Sequence, residues 1–191
     1  MNAIAINGSA RKNGNTTKLI QTVINTLEKD HIECELIHLA GETIRGCQAC
    51  DQCKINKNEN CIISDDIINN CIQKMKNADV IILASPTYFC NVTAEMKALI
   101  DRAGKVGRAN EYLFKNKIGA AIVTQRRAGA IHTYNSINHF FLVEKMIIPG
   151  SSFWNIGIGG AKGEVLEDVV GLSAMKALAE QIIWLLKKIH N

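Results

Sequence analysis

The sequence has few prolines, few aromatic residues and no long apolar run. It contains two prolines, Pro86 and Pro149, and only 5% of its residues are aromatic. No run reaches the roughly 18 to 20 uninterrupted apolar residues of a membrane-spanning helix. The first apolar run, Ala3 to Ile6, is also far too short for a signal peptide. We therefore expect a cytoplasmic protein with no membrane partner.

The charge is balanced and shows no basic block. Twenty-two Lys and Arg residues against eighteen Asp and Glu residues give a formal charge of +4, without interleaved aromatic residues. This pattern disfavours nucleic acid as a partner and leaves anionic small molecules as ligands. The five histidines show no metal-ligand spacing, and no catalytic triad or pair of carboxylates stands out. We therefore assign no catalytic side chain.

Short apolar runs alternate with longer amphipathic stretches, which is the pattern of βαβ units. Residues 1–191 are expected to form a single domain, since 47% of them are hydrophobic and can fill one core. The pattern predicts an α/β fold, a doubly wound sheet of five parallel strands flanked by helices, with ligands at the carboxyl ends of the strands. The predicted strands are Ala3 to Ile6, Glu33 to His38, Val80 to Ala84, Gly119 to Thr124 and Met146 to Gly150.

Helices are predicted from apolar residues that recur at helical spacing. One stripe runs from Leu19 to Leu27 and another from Leu178 to Ile189. Ser64 and the two aspartates after it have the chemistry of a helix start, which predicts a helix from about Asp65 to Met75. A further amphipathic helix is predicted over Ala94 to Arg102.

The segment after the first predicted strand, Asn7 to Thr17, is suited to an anion. Gly8 and Gly14 let the backbone turn with its N–H groups inward, and the following helix adds the positive end of its dipole. A phosphate monoester fits this loop, whereas a capped strand-to-helix turn is the simpler alternative. The side chains that can donate hydrogen bonds here are those of Ser9, Arg11, Asn15, Thr16 and Thr17.

The segment after the third predicted strand combines aromatic and amide side chains. It reads Ser85-Pro86-Thr87-Tyr88-Phe89-Cys90-Asn91-Val92-Thr93. A flat tricyclic ring needs an apolar face and a hydrogen-bonding edge, and this mixture offers both. Core packing is the alternative for Tyr88 and Phe89, since aromatic residues are usually buried.

Four of the seven cysteines lie within fifteen positions, in an insertion loop at about 45–63. Cys47, Cys50 and Cys53 have CxxCxxC spacing, and Cys61 follows after seven residues. Four thiolates can complete the shell of an iron-sulfur cube or of a tetrahedral zinc ion. A redox-active dithiol and free thiols remain alternatives. The unbroken CxxCxxC run favours iron, because zinc more often uses two separated CxxC pairs.

Two motifs together resemble the NADPH-dependent FMN reductase branch of the flavodoxin-like superfamily. They are GSxRxxGNT after the first strand and SPTYFxNVTAEMKALIDR after the third. The resemblance implies FMN as a cofactor, with its phosphate held by Ser9, Arg11, Asn15 and Thr16. It also implies that Pro86, Thr87, Tyr88 and Phe89 line the flavin, and that Thr124 to Gly129 form a third wall. Thr17, Asn91, Thr124, Arg126 and Gly129 complete the candidate cofactor residues.

Within that superfamily, the compact cysteine motif resembles the iron-sulfur flavoproteins of archaea and anaerobes. The resemblance implies that Cys47, Cys50, Cys53 and Cys61 hold a 4Fe-4S cluster, although their last spacing is at the long end of the pattern. It implies electron transfer between a reduced donor, NAD(P)H or ferredoxin, and an acceptor. The alternative is an NAD(P)H-dependent FMN or quinone reductase without a cluster. A homodimer or homotetramer is expected, with Gly150 to Gly160 as a contact surface or lid.

Overall fold

The computed structural model describes residues 1–190 and is built on one sheet of five parallel strands. Their order across the sheet is second, first, third, fourth, fifth, which is the doubly wound order of flavodoxin-like folds. The predicted fold class is therefore confirmed. The strands are β1 (Asn2–Asn7), β2 (Glu33–His38), β3 (Val80–Pro86), β4 (Ile118–Gln125) and β5 (Ile156–Ile158).

Helices cover both faces of the sheet. They are α1 (Asn15–Lys29), α2 (Gln52–Asn56), α3 (Ile68–Asn77), α4 (Ala94–Ala109), α5 (Ala130–Val143) and α6 (Val169–Ile189). A 3-10 helix, Glu164–Glu167, precedes α6. Successive residues of a strand point to opposite faces, so Ala3 and Ala5 pack with α1 and α6, while Ile4 and Ile6 pack with α3, α4 and α5.

The helix predicted from about Asp65 begins three residues later, at Ile68. The carboxylate of Asp66 accepts a hydrogen bond from the N–H of Ile68 at 3.1 Å and also pairs with Arg102. Asp66 therefore lies just before the helix, where its carboxylate accepts from the first N–H group of the helix and also pairs with Arg102.

The fifth strand is not where the sequence pattern put it. Met146 to Gly150 makes a single bridge to β4, between Ile147 and Ile118, and the strand that completes the sheet is Ile156–Ile158. Pro149 has no N–H to continue the ladder. The chain therefore leaves the sheet after this bridge and returns beside the carboxyl end of β4.

The last helix, α6, is long and apolar enough to cross a membrane by length and composition alone. Its side chains Met175, Leu178 and Ile182 are fully buried, in one cluster with Leu19 and Ile20 of α1. A core helix has the same composition, so this property carries no assignment to a membrane.

A buried carboxylate lies where α5 ends against α4. Glu144 is 0% exposed, and neither of its carboxylate oxygens has a hydrogen-bond partner within the described residues. A Cβ on Gly107 of α4 would lie 2.6 Å from Glu144 Oε2, so glycine is required for this contact. Burial raises the pKa of Glu144 to about 7, and the nearby Arg108 offsets only part of that effect.

We predict that Glu144 makes the protein less stable at alkaline pH. Its pKa is raised on folding, so its contribution is complete at low pH and is lost as pH rises through about 7. Between pH 5 and 8.5 the free energy of unfolding of the natural protein should fall by about 2 kcal/mol. Glu144→Gln should remove most of this slope in urea titrations. Glu180→Gln, an exposed exchange on α6, is the control, and equal slopes in the natural protein and Glu144→Gln would contradict the prediction.

Candidate functional site

Two loops meet closely at the carboxyl edge of the sheet, where a ligand was expected. The N–H of Gly8 donates to the carbonyl of Ala84 at 2.8 Å, and the hydroxyl of Thr93 donates to the carbonyl of Gly8 at 2.8 Å. A Cβ on Gly8 would lie 2.8 Å from Cβ of Met96. Glycine therefore allows the loop after β1 to lie directly against the start of α4.

The side chain of Asn7 organises the loop between β1 and α1. Its Oδ1 accepts from the N–H of Ser9 at 2.9 Å, which places Nδ2 as donor to Thr17 Oγ1 at 2.9 Å. Nδ2 also lies 3.3 Å from Nδ1 of His38, which must accept, so the His38 ring carries its proton on Nε2. Burial, together with Lys12, lowers the pKa of His38.

The start of α1 leaves backbone donors free. Gly14 caps the helix without a side-chain hydrogen bond, and the N–H groups of residues 15–17 have no acceptor in residues 1–190. Ser9 is almost buried, its hydroxyl bonded to the backbone of Arg11, whereas the Arg11 side chain is exposed. This arrangement can bind a phosphate through backbone N–H groups and one mobile guanidinium.

Two of the predicted phosphate donors are engaged inside the protein. The Asn15 amide donates to the carbonyls of Gly159 and Ala161 at 3.0 and 2.9 Å, and its oxygen accepts from the N–H of Gly163 at 2.8 Å. Thr17 Oγ1 donates to a carbonyl within the loop. Asn15 therefore fixes the segment that closes over α1, and in this arrangement it has no amide hydrogen left for a ligand.

The tip of the loop after β3 is exposed rather than packed in the core. Phe89 and Cys90 have φ of 47° and 61°, and the backbones of Tyr88 and Asn91 pair across the tip at 2.9 and 3.1 Å. Phe89 is fully exposed and Tyr88 is 47% exposed. Core packing is therefore excluded for these two rings, which stand free to contact a flat ligand.

The other predicted residues of this loop fix its position. Pro86 pairs in register with Thr124 of β4, so β3 extends two residues beyond its predicted end. The hydroxyl of Thr87 lies 3.1 Å from that of Thr133 on α5. The oxygen of Asn91 accepts from Ser136, also on α5, at 3.0 Å. The loop is thus held against α5 on one side.

The loop after β4 completes the candidate flavin site, defined here as the three loops that follow β1, β3 and β4. Thr124 Oγ1 lies 2.8 Å from Thr16 Oγ1, which joins the first and third loops. Gly129 has φ of 93°, and a Cβ there would lie 2.8 Å from Cys90 Sγ. Arg126 and Arg127 are exposed, and Arg126 packs along Gly160.

The four predicted metal-binding cysteines line one small cavity beside α4. Cys47, Cys50, Cys53 and Cys61 share it with Ala49, Ile62, Ile63 and Val106, so its walls are largely apolar. Within residues 1–190, no group of three or more His, Cys, Asp or Glu side chains is arranged to hold a metal ion. The four thiols share this cavity, which we call the cysteine site, but their side chains are not in a metal-binding arrangement.

The remaining cysteines stay outside the cysteine site. Burial raises the pKa of Cys71 to about 12 and that of Cys34 to about 11, so both are unreactive thiols in packed surroundings. Cys90 is exposed at the candidate flavin site.

Two cations of α4 also line the cysteine site. Arg102 is completely buried and pairs with Asp66, whereas Lys105 is partly exposed and pairs with Asp51 at 3.1 Å. Burial by itself would lower the pKa of Arg102. The effects of Asp66 and of the sulfur of Cys61 are together larger than that of burial, so the pKa of Arg102 is raised. Burial alone would also raise the pKa of Asp66, and hydrogen bonds from Arg102 and two backbone N–H groups lower it. Anionic sulfur ligands would thus face positive charge.

Sequence reasoning did not assign Asn7, His38 or Arg102 as a site residue, and it gave Asp66 only a place at a helix start. A signal existed for Arg102, because Met96, Leu99 and Val106 are buried at helical spacing and Arg102 falls on the same face. A charged residue on a buried face requires partners. His38 carried no such signal, since its contact with Asn7 depends on the pairing of β2 with β1.

Residues 1–161 match the NADPH-dependent FMN reductase family. The chain belongs to this family. It is 35% identical to an iron-sulfur flavoprotein of Methanocaldococcus jannaschii, and the alignment covers the full length of both chains. The expected family and a flavin-dependent oxidoreductase activity are thereby confirmed, and FMN is supported as its cofactor.

Solved structures support the same fold. The whole chain superposes on 80% of RosB, solved with bound 8-demethyl-8-formylriboflavin-5'-phosphate, with a TM-score of 0.77 and 16% identity. The chain also superposes on a WrbA-like flavodoxin of Agrobacterium tumefaciens with a TM-score of 0.68 and 13% identity, and the superposition covers 98% of each chain. At such low identities these likenesses establish the flavodoxin-like fold alone.

We predict that this family member loses flavin and stability as pH falls. His38 has a lowered pKa in the folded protein, so its contribution is present above about pH 6.5 and is lost as pH falls and the ring protonates. A protonated Nδ1 cannot accept from Asn7, which removes about 1 kcal/mol, the value of one hydrogen bond. In His38→Gln, the release of FMN should depend less on pH between pH 7 and 5 than in the natural protein, as measured by fluorescence titration.

His31→Asn is the matched control, because His31 is exposed and lies on the turn before β2. It should keep the pH profile of the natural protein. A natural protein that retains flavin equally at pH 5 and 7 would refute the role of His38.

Proposed function

We propose that this chain is an FMN-binding iron-sulfur flavoprotein that transfers electrons between a reduced donor and an acceptor through FMN and a 4Fe-4S cluster. The observation that carries the proposal is the gathering of Cys47, Cys50, Cys53 and Cys61 around one cavity in a member of a flavin-binding family. When bound, FMN can exchange one or two electrons and an iron-sulfur cluster exchanges single electrons.

The candidate flavin site has the chemistry that FMN needs. Backbone N–H groups at the start of α1 are free for the phosphate, and Arg11 is exposed beside them. Tyr88 and Phe89 offer exposed rings to the flat isoalloxazine. We propose Ser9, Arg11 and Thr16 at the phosphate. Asn15 and Thr17 act by shaping the loop that holds it.

The cysteine site has the chemistry that a cluster needs. Four thiolates bring negative charge into a largely apolar cavity, which is unfavourable without nearby donors or cations. Arg102 and Lys105 bring N–H donors to one wall of the cavity, and each of them is paired with a carboxylate. The relative from Methanocaldococcus jannaschii, which matches along its full length, is named an iron-sulfur flavoprotein, which supports the same reading here.

One helix connects the two sites. Thr93 caps α4 and hydrogen-bonds to Gly8 at the candidate flavin site, and Arg102 of the same helix lines the cysteine site. Arg102 lies eight residues after Ala94, which corresponds to about 12 Å along the helix. We propose that α4 fixes the separation of the two redox centres.

The surface next to the cysteine site suits an acidic redox partner. A groove there is lined by a basic rim, defined as the lysines Lys54, Lys57, Lys97 and Lys105. Only Asp51 and Asp101 pair with members of this rim among the residues described. Such a surface steers acidic carriers toward it, and we propose a ferredoxin as the donor or acceptor.

We further propose a cytoplasmic homodimer or homotetramer. Phe153 and Trp154 are 57% and 53% exposed, and their rings are tilted against each other with centroids 4.7 Å apart. Ile158 of β5 is also about half exposed. Exposed apolar residues of this kind, close together in sequence, are typical of a contact surface between subunits.

An NAD(P)H-dependent FMN or quinone reductase without a cluster is the second candidate. The description of the matching family, NADPH-dependent FMN reductase, favours it. In that case the cysteines would bind zinc or remain free, and a nicotinamide would donate hydride directly to the flavin.

We predict that the anaerobically purified protein contains about four iron and about four sulfide per chain together with FMN. Single variants Cys47→Ala and Cys50→Ala should lose most of the iron and sulfide, because each removes a ligand. The measurements are iron, zinc and acid-labile sulfide analysis, with visible absorption for the flavin.

Cys34→Ala is the control, because this thiol lies outside the cysteine site, and its iron content should equal that of the natural protein. Flavin without iron, or zinc in place of iron, would contradict the proposal and support the second candidate.

We also predict that Arg11→Ala and Thr16→Ala weaken FMN binding, each about tenfold, which corresponds to about 1.4 kcal/mol. Arg11 loses an ion pair with the phosphate, and Thr16 loses the hydroxyl that joins it to Thr124. Lys18→Ala on the exposed face of α1 removes an equal charge and should retain FMN. Flavin fluorescence quenching gives the dissociation constants, and unchanged binding in both variants would place the phosphate elsewhere.

A further inference from the structure

Arg102 is a buried cation whose contacts converge on the cysteine-rich insertion. Its side chain is 0% exposed in the middle of α4. Nη1 donates to the carbonyl of Arg45 at 3.1 Å and to the carboxylate of Asp66, and Nη2 donates to the carbonyl of Ile63 at 2.8 Å. A buried guanidinium with three acceptors holds one orientation.

The two carbonyls lie at the two ends of the insertion. Arg45 precedes Cys47 by two residues, and Ile63 follows Cys61 by two residues. One planar guanidinium therefore joins the entry and the exit of the cysteine segment to the same turn of α4. The segment between these two ends contains all four cysteines of the cysteine site.

The remaining donor of Arg102 has no partner. Nε is buried and makes no hydrogen bond within residues 1–190. Arg102 and Cys61 line the same cavity of the cysteine site. A buried N–H without an acceptor is unfavourable, whereas a thiolate or cluster sulfur at this place would accept from it.

We propose that Arg102 is the positioning residue of the cysteine site. It clamps both ends of the insertion through Nη1 and Nη2, and its Nε–H donates to the sulfur of Cys61 when that sulfur carries negative charge. Hydrogen bonds to ligand sulfur stabilise the more negative, reduced state of a cluster and so raise its reduction potential. This inference rests on the proposed function.

Because Arg102 is paired with Asp66, we expect a hydrogen bond from Arg102 to affect Cys61 more than the net charge of the pair does. Asp66 neutralises Arg102 at close range, so the pair adds little net field at the cavity. Lys105, the other cation of the cavity, is exposed and paired with Asp51, and solvent screens it. The directed N–H of Arg102 is therefore the stronger influence on Cys61.

The test compares Arg102→Lys with Arg108→Lys in the full chain, purified anaerobically with its cluster. Arg102→Lys keeps the charge for Asp66 and lacks the Nε–H and the planar fork. Arg108→Lys makes the same exchange on an exposed part of α4. The readouts are the cluster reduction potential from EPR-monitored titration, the rate of iron loss to a chelator, and FMN content.

We expect a lower reduction potential and several-fold faster iron loss in Arg102→Lys, with FMN content unchanged. Arg108→Lys should match the natural protein in all three. If Arg102→Lys fails to fold, the double variant Arg102→Met with Asp66→Asn removes both buried charges together and should show the same shifts. A folded variant of either kind with the natural reduction potential would overturn the proposed hydrogen bond to Cys61.

The cluster-free protein tests the clamp separately. Alkylation of Cys61 by iodoacetamide, followed by mass spectrometry, should be several-fold faster in Arg102→Lys than in Arg108→Lys, because the insertion opens. An equal rate would overturn the clamp. If the natural protein binds no cluster, the proposed function fails, and the alkylation rates alone decide whether Arg102 positions the cysteines.

Discussion

The buried guanidinium of Arg102 holds together the parts of the molecule on which the proposed function depends. A charge that water does not reach must find its partners within the protein, and Arg102 finds them in Asp66 and in the carbonyls of Arg45 and Ile63. These contacts fix a long segment with little regular structure against α4.

The N-terminal end of α4 borders the candidate flavin site. Thr93 and Met96 lie in the first turn of α4 and pack against Gly8, which follows β1. Backbone N–H groups and exposed aromatic rings border one site, while thiols and cations border the other.

Much of the fold could be predicted from the sequence because parallel strands buried on both faces leave continuous apolar runs. The predicted strands β1 to β4 are confirmed, and the loops that follow β1, β3 and β4 therefore lie at the carboxyl edge of the sheet. The fifth strand was misplaced because the apolar run before Pro149 pairs at a single bridge, and the short strand Ile156–Ile158 has no distinctive pattern. Local periodicity does not show which run finds the free edge of the sheet.

The roles of individual site residues were harder to predict, since they depend on contacts between distant segments. Asn15 looks like a phosphate donor in sequence, yet its amide binds residues 159–163. His38 and Arg102 act through partners 31 and 36 to 57 residues away. The cysteine spacing was informative because four ligands of one cluster can lie within a short segment.

Native mass spectrometry of the anaerobically purified protein tests the central claim most directly, because it weighs both cofactors on the same molecule. The account predicts that each chain carries one FMN together with one cluster of about four iron and about four sulfide. A chain that carries FMN alone, or FMN with a single zinc ion, would contradict it.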